Sequence, residues 1–193
     1  EFRNLYNLLA IAVILLTTNA NAQPAFNWSK SSNGTGDESA KSVVTDNAGN
    51  VYMAGSFTGA SIAFGSVTIA NSSTSGSAFY IVKFDASGNA IWAKTANGLL
   101  NREAVSLDVD QQGNIYVVGH FESAILNFGT VSLTNPNSPS TDIFLAKYDA
   151  NGNFLWASSG TGRGYEYTRN VKTDLFGNVY INGSCLYGNF NIL

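Results

Sequence analysis

One histidine, His120, and one cysteine, Cys185, are all the imidazole and thiol in this 193-residue chain. A Ser-His-Asp triad or a histidine-based zinc site would have to rest on His120 alone. Glycoside hydrolysis needs two carboxyl groups held about 5–10 Å apart. The sequence does not place Asp37, Glu38, Glu103 or Glu166 that closely. Five further aspartates open an Asp-x-x-Gly-Asn pattern at Asp46, Asp85, Asp110, Asp149 and Asp174. Asp and Asn in a glycine loop suggest calcium, but each loop brings one carboxylate where a calcium loop uses several. Asp at the first turn position accepts backbone N–H groups and Gly at the fourth tolerates positive φ, so these read as tight hairpin turns. On this reading the chain holds no catalytic, metal or cofactor-binding residue and takes no cofactor.

The elements that carry these residues recur. Trp28, Trp92 and Trp156 stand 64 residues apart, and Gly55, Gly119 and Gly183 keep the same phase, as do Tyr52, Tyr116 and Tyr180. A fixed period signals one supersecondary unit stacked on copies of itself. Cys185 falls in register with Phe57 and Phe121, which makes it a small core filler, and His120 falls in register with Ser56 and Ser184. Phase-locked tryptophans read as packing between units rather than as sugar-stacking platforms.

Within each copy, short runs rich in Val, Ile, Phe and Tyr alternate with Gly, Asn, Ser and Asp, without helical periodicity after the N-terminal segment. This predicts an all-β chain. Strands are expected over 39–46, 50–57, 78–85 and 89–95, then over 103–110, 114–121, 142–149 and 153–159. Strand 78–85 is apolar on both faces, which suits a sheet covered on both sides. Four antiparallel strands per 64 residues fit β-propeller blades better than solenoid coils. The expected organisation is a signal peptide over 1–22, an orphan closing strand over 23–31, blades over 32–95 and 96–159, and a partial blade over 160–193. Together they would make an open arc of about two and a half blades, a fragment of a longer chain.

The pattern D-x-x-G-N-V-Y-x-x-G at 46–55, repeated with Ile115 at 110–119, and K-[FY]-D-x-x-G-N-x-x-W at 83–92 and 147–156 resemble bacterial secreted β-propeller repeats of the SBBP type. The resemblance spans the chain beyond residue 22. It implies an exported or surface scaffold, frequently followed by a C-terminal sorting domain, and brings no catalytic residues.

In such blades the Asp-x-x-Gly-Asn turns share one face and the longer connections the other. Loops on rigid scaffolds are where binding resides, so the long-connection face is the expected ligand face: 30–38, 94–102 and 158–166 between blades, 59–77 and 123–141 within them. Its candidate ligand residues are Asp37, Glu38, Asn101, Arg102, Arg163, Tyr165 and Glu166.

Residues 8–16, LLAIAVILL, follow Arg3 and precede Ala20-Asn21-Ala22, the layout of a cleaved export signal too short to span a bilayer. The net charge of −3 is spread thinly and offers no footprint for nucleic acid or anionic lipid. The lone cysteine excludes an intrachain disulfide. Together these predict a secreted or cell-surface, non-catalytic binding or adhesion scaffold. Its expected partners are an extracellular glycan or protein and the remaining blades of its own chain, with no nucleic acid and no membrane span. The alternative is a part of an extracellular polysaccharide-active or other hydrolytic enzyme whose active residues lie elsewhere.

Overall fold

The computed structural model describes residues 27–186 apart from 74, 161 and 163. The expected signal segment therefore lies outside the described residues. Fifteen strands and no helix occur among those described. Strands β2 (Glu38–Thr45), β3 (Val51–Phe57), β6 (Ala78–Phe84) and β7 (Ala90–Lys94) form one antiparallel sheet in the order β2-β3-β6-β7. Strands β8 (Arg102–Val109), β9 (Ile115–Phe121), β12 (Asp142–Tyr148) and β13 (Phe154–Ser159) repeat that order. A hairpin of β14 (Tyr165–Thr173) and β15 (Val179–Leu186) follows. The sheets lie side by side without closing on themselves. Residues 27–31, within the expected closing strand, carry no strand.

Alternation explains the stacking. In β3 and β6, Tyr52, Ala54, Phe79 and Ile81 face the second sheet, where they meet Phe144, Ala146 and Tyr148 of β12 in the largest core cluster. The Phe79 and Phe144 rings stack with centroids 5.1 Å apart. One repeat later, Tyr116, Val118 and Leu145 face Val171, Val179 and Ile181. Each middle strand is thus buried on both faces, because its sheet is the middle layer of a sandwich.

The long connections inside the sheets are not open loops. One holds the hairpin β4 (Ser61–Phe64) and β5 (Val67–Ala70), with β1 (Asn33–Gly34) paired to β4; the other holds β10 (Ile125–Asn127) and β11 (Ser132–Thr134). Leu126, Phe128 and Leu133 wedge into the core between the two four-stranded sheets, and Phe128 stacks on Phe154. Ile62 and Phe64 cover the other face of the first sheet. The alternation SIAF-GS-VTIA carries that hairpin signal in the sequence.

All five Asp-x-x-Gly-Asn segments form one turn. In the first, the Gly49 N–H donates to the Asp46 carbonyl, Gly49 lies at φ 80°, and the Asp46 N–H donates to the Asn50 carbonyl. The Asp46 Oδ1 accepts the N–H groups of Ala48 and Asn50; its Oδ2 accepts Asn50 Nδ2 and the Tyr52 hydroxyl. Both oxygens are committed to the turn's own donors. For Asp46, burial raises the carboxyl's pKa, and the bonds from Asn50, Tyr52 and Ala48 outweigh it, leaving it below 3.8. Asp85, Asp149 and Asp174 are also lowered, first by the side-chain bond from Asn89, Asn153 or Asn178. A depressed carboxyl stabilises the fold above its unfolded value and loses that contribution as pH falls through its folded value. The urea midpoint should therefore drop as pH falls below 3.8, and less so in a variant with all four aspartates changed to Asn. An equal drop in both proteins would remove the turns as the cause.

Candidate functional site

The first strand of each sheet carries a β-bulge at the same place. Pairing shifts between Ala40 and Ser42, between Ala104 and Ser106, and between Thr168 and Asn170. The extra residues are Lys41, Val105 and Arg169, in register 64 apart. A bulge re-aims its side chain, and these three line one cleft of about 230 Å³ with Glu103, His120, Tyr167 and Thr168. His120 Nε2 stands 3.6 Å from Glu103 Oε2, and the ring meets Tyr167 edge-on at 5.4 Å. Burial, aided by Lys41, lowers the His120 pKa against the opposing pull of Glu103 and Glu122. The bulges also stitch neighbouring sheets: Ser42 Oγ accepts the Leu107 N–H, and Ser106 Oγ accepts the Val171 N–H.

A second cleft, of about 540 Å³, opens among the tight turns, between 45–50 and 109–113, with Lys83, Ala150 and Leu175. Lys83 Nζ donates to the Ala150 carbonyl there. The larger polar cleft thus lies among the turns, away from the expected ligand face.

The candidate residues on that expected face separate into two sets. Asp37, Asn101 and Tyr165, mutually in register, are exposed. Asn101 Oδ1 accepts the Ser77 N–H, and its Nδ2 donates to Glu122. Glu38, Arg102 and Glu166, like Tyr165, are strand residues, not loop residues as the sequence suggested, because each strand begins a residue or more early. Glu38 is half-buried and accepts the Ser32 hydroxyl; Arg102 and Glu166 are wholly buried. Arg163 lies outside the described residues.

Asp142, which sequence reasoning passed over, opens β12 beside Glu166, whose N–H donates to the Thr141 carbonyl at 2.8 Å. Burial, then the Glu166 charge, push Asp142 up to about 7. Burial likewise raises Glu166, while the nearby Gly162 amide draws it part of the way back without bonding either oxygen in good geometry. The signal was available in the register: Ala78 becomes Asp142 just where Arg102 becomes Glu166. Among the described residues no group of three or more His, Cys, Asp or Glu side chains gathers as a metal centre. No helix among them is long and apolar enough to cross a membrane, which leaves β-barrels unaddressed.

No family model matches the chain. It is similar to an uncharacterised WD repeat-containing protein of Acanthamoeba polyphaga mimivirus, 29% identical over 114 residues. That stretch is 54% of this chain, and the chain spans 8% of the relative's length. WD repeats are four-stranded propeller blades of about 40–45 residues. The greater spacing here is accounted for by the hairpins β4–β5 and β10–β11, which fill the connection between the second and third strands of each sheet. An all-β repeat architecture of antiparallel sheets is common to the structure and this likeness.

Proposed function

We propose that the chain is an arc of a β-propeller with a 64-residue blade, acting as an exported, non-catalytic scaffold that binds an extracellular glycan or protein. The observation that carries this reading is a division of labour along the repeat. Positions that build the sheets and stack them recur: Trp28 and Trp92, Gly55 and Gly119, Ser42 and Ser106, and the turn aspartates. Positions that face solvent differ at every copy: Asp37, Asn101 and Tyr165 at one end, and Lys41, Val105 and Arg169 at the bulges. A scaffold that keeps its packing and varies its exposed residues presents a composite surface. Export through residues 1–22 belongs to the same reading.

A glycan array probed with the full chain tests binding, run beside an assay for new reducing ends on the same polysaccharides. Retention without chain cleavage is expected, weakened at least about tenfold in the Asp37→Ala, Asn101→Ala, Tyr165→Ala triple variant, on the scale of losing one well-packed contact. Release of reducing ends would replace the scaffold with the hydrolase alternative, and retention unchanged in the triple variant would remove this face as the site. Fusion of residues 1–22 to a periplasm-dependent phosphatase should give activity, and an inactive fusion would end the export reading.

A further inference from the structure

The start of the third strand and the start of the next sheet's first strand meet twice in the chain, once at Ala78 and Arg102 and once at Asp142 and Glu166. All four residues are fully buried. In the first meeting the Arg102 guanidinium sits among oxygens. Its Nη1 donates to the carbonyls of Gly98 and Leu100, the latter at 2.8 Å, and its Nη2 to Asn71 Oδ1 at 2.9 Å. Burial lowers its pKa only to about 10, so the site holds a cation at neutral pH.

In the second meeting the frame recurs, and among the described residues no cation takes the arginine's place. Gly162 stands where Gly98 did and Asn135 where Asn71 did, while Glu166 replaces the arginine and Asp142 replaces the alanine. All four carboxylate oxygens of Asp142 and Glu166 are buried without a hydrogen-bond partner. Two buried hydroxyls nearby share that condition: Thr168 Oγ1, two residues along β14 on the face of Glu166, and Ser140 Oγ, next to Thr141. Ionised carboxylates taken out of water without a partner cost several kcal/mol each or more. One repeat earlier, the place is electrostatically made for a positive charge. Changing arginine to glutamate and adding an aspartate makes sense if the charge is brought from outside.

We propose that Asp142 and Glu166 bind a calcium ion in the position that the Arg102 guanidinium occupies one repeat earlier. Two carboxylates balance a divalent charge, and the unpartnered Thr168 and Ser140 hydroxyls, one on the strand face of Glu166 and one beside Thr141, are the neutral oxygens that would join them. Calcium accepts six to eight oxygens in irregular geometry, whereas magnesium demands a near-ideal octahedron and keeps several waters, which suits two buried carboxylates poorly. The site differs from the five turns, whose aspartate oxygens already accept the turns' own N–H and hydroxyl groups. The ion would lock β14 against β12, beside the bond from the Glu166 N–H to the Thr141 carbonyl.

Calorimetric titration of the chelator-treated full chain with calcium chloride is the test. One ion per chain should bind, and the unfolding midpoint should rise by roughly 5 °C or more at saturation, since a ligand of the native state stabilises it. Asp142→Asn and Glu166→Gln should each abolish both effects, while Asp149→Asn should leave both unchanged. Should the single variants not fold, the Asp142→Ala, Glu166→Arg double variant decides, because it rebuilds the first meeting's pair. It should unfold near the midpoint of the calcium-loaded parent and ignore both calcium and chelator. Neither heat nor midpoint shift in the parent at millimolar calcium overturns the proposal. So does a calcium response that survives in the double variant.

Discussion

Trp92→Ala should destabilise the chain by about 3–5 kcal/mol, the range for deleting a large buried aromatic. Trp92 leaves β7 only 9% exposed and joins two sheets. Its ring meets Tyr52 of its own sheet edge-on at 6.2 Å, and its Nε1 donates to the Ala150 carbonyl of the next sheet at 3.4 Å. The fit is close enough that a Cβ added to Gly152 would come within 2.8 Å of the indole. Trp28 makes the same reach one repeat earlier, donating to the Ala86 carbonyl and lying against Gly88, though it is only partly buried. Trp156 has Tyr116 beside it, 6.3 Å away, and is 38% exposed. Trp156→Ala should therefore cost no more than about half as much, in proportion to the apolar surface it keeps from water. Urea unfolding followed by far-ultraviolet circular dichroism measures both. Equal costs would mean that the indoles stabilise their own sheets and not the stacking.

Gly119→Ala should cost about 3 kcal/mol, at the upper end of overpacking effects. The recurrence of Gly55 and Gly119 has its explanation in the bulges. Where β8 gains its extra residue, the Glu103 carbonyl is pressed over β9, and a Cβ at Gly119 would lie 1.9 Å from that oxygen and 2.7 Å from the Phe144 ring. The obstacle is main chain, held on one side by the bulge and on the other by the stacked core, so it cannot turn aside as a side chain would. Gly129 is the control: it lies at φ 95° with nothing within 4 Å. Gly129→Ala should cost only about 1–2 kcal/mol of left-handed strain. If Gly129→Ala proved the more damaging, the bulge would be pliable and the glycine repeat would need another cause.

Both predictions concern residues whose periodicity was visible in the chain, while their reasons were not. The tryptophan and glycine spacing, the strands to within a residue or two, and the five turns follow from local rules: alternation of apolar side chains, and Asp and Gly at turn positions that demand them. The hairpins β4–β5 and β10–β11 were passed over because they sit in Ser-, Thr- and Asn-rich stretches. Only docking against Tyr80 or Phe144 shows that Phe64 and Phe128 belong to the core. Lys41, Val105 and Arg169 gave no sign of lining a cleft, since a bulge arises from pairing between strands and leaves no mark on one strand alone.

By itself the chain determined its repeat, which shows on comparing the sequence with itself, and its all-β character and the chemistry of its turns, because those two depend on residues within a few positions of one another. The fates of Arg102, Asp142 and Glu166 belonged to the tertiary structure. All three looked like surface charges or strand ends when read along the chain. Their burial comes from one sheet lying on the next, bringing together residues 24 or more positions apart, and a charge becomes costly only once its neighbours have taken the water away.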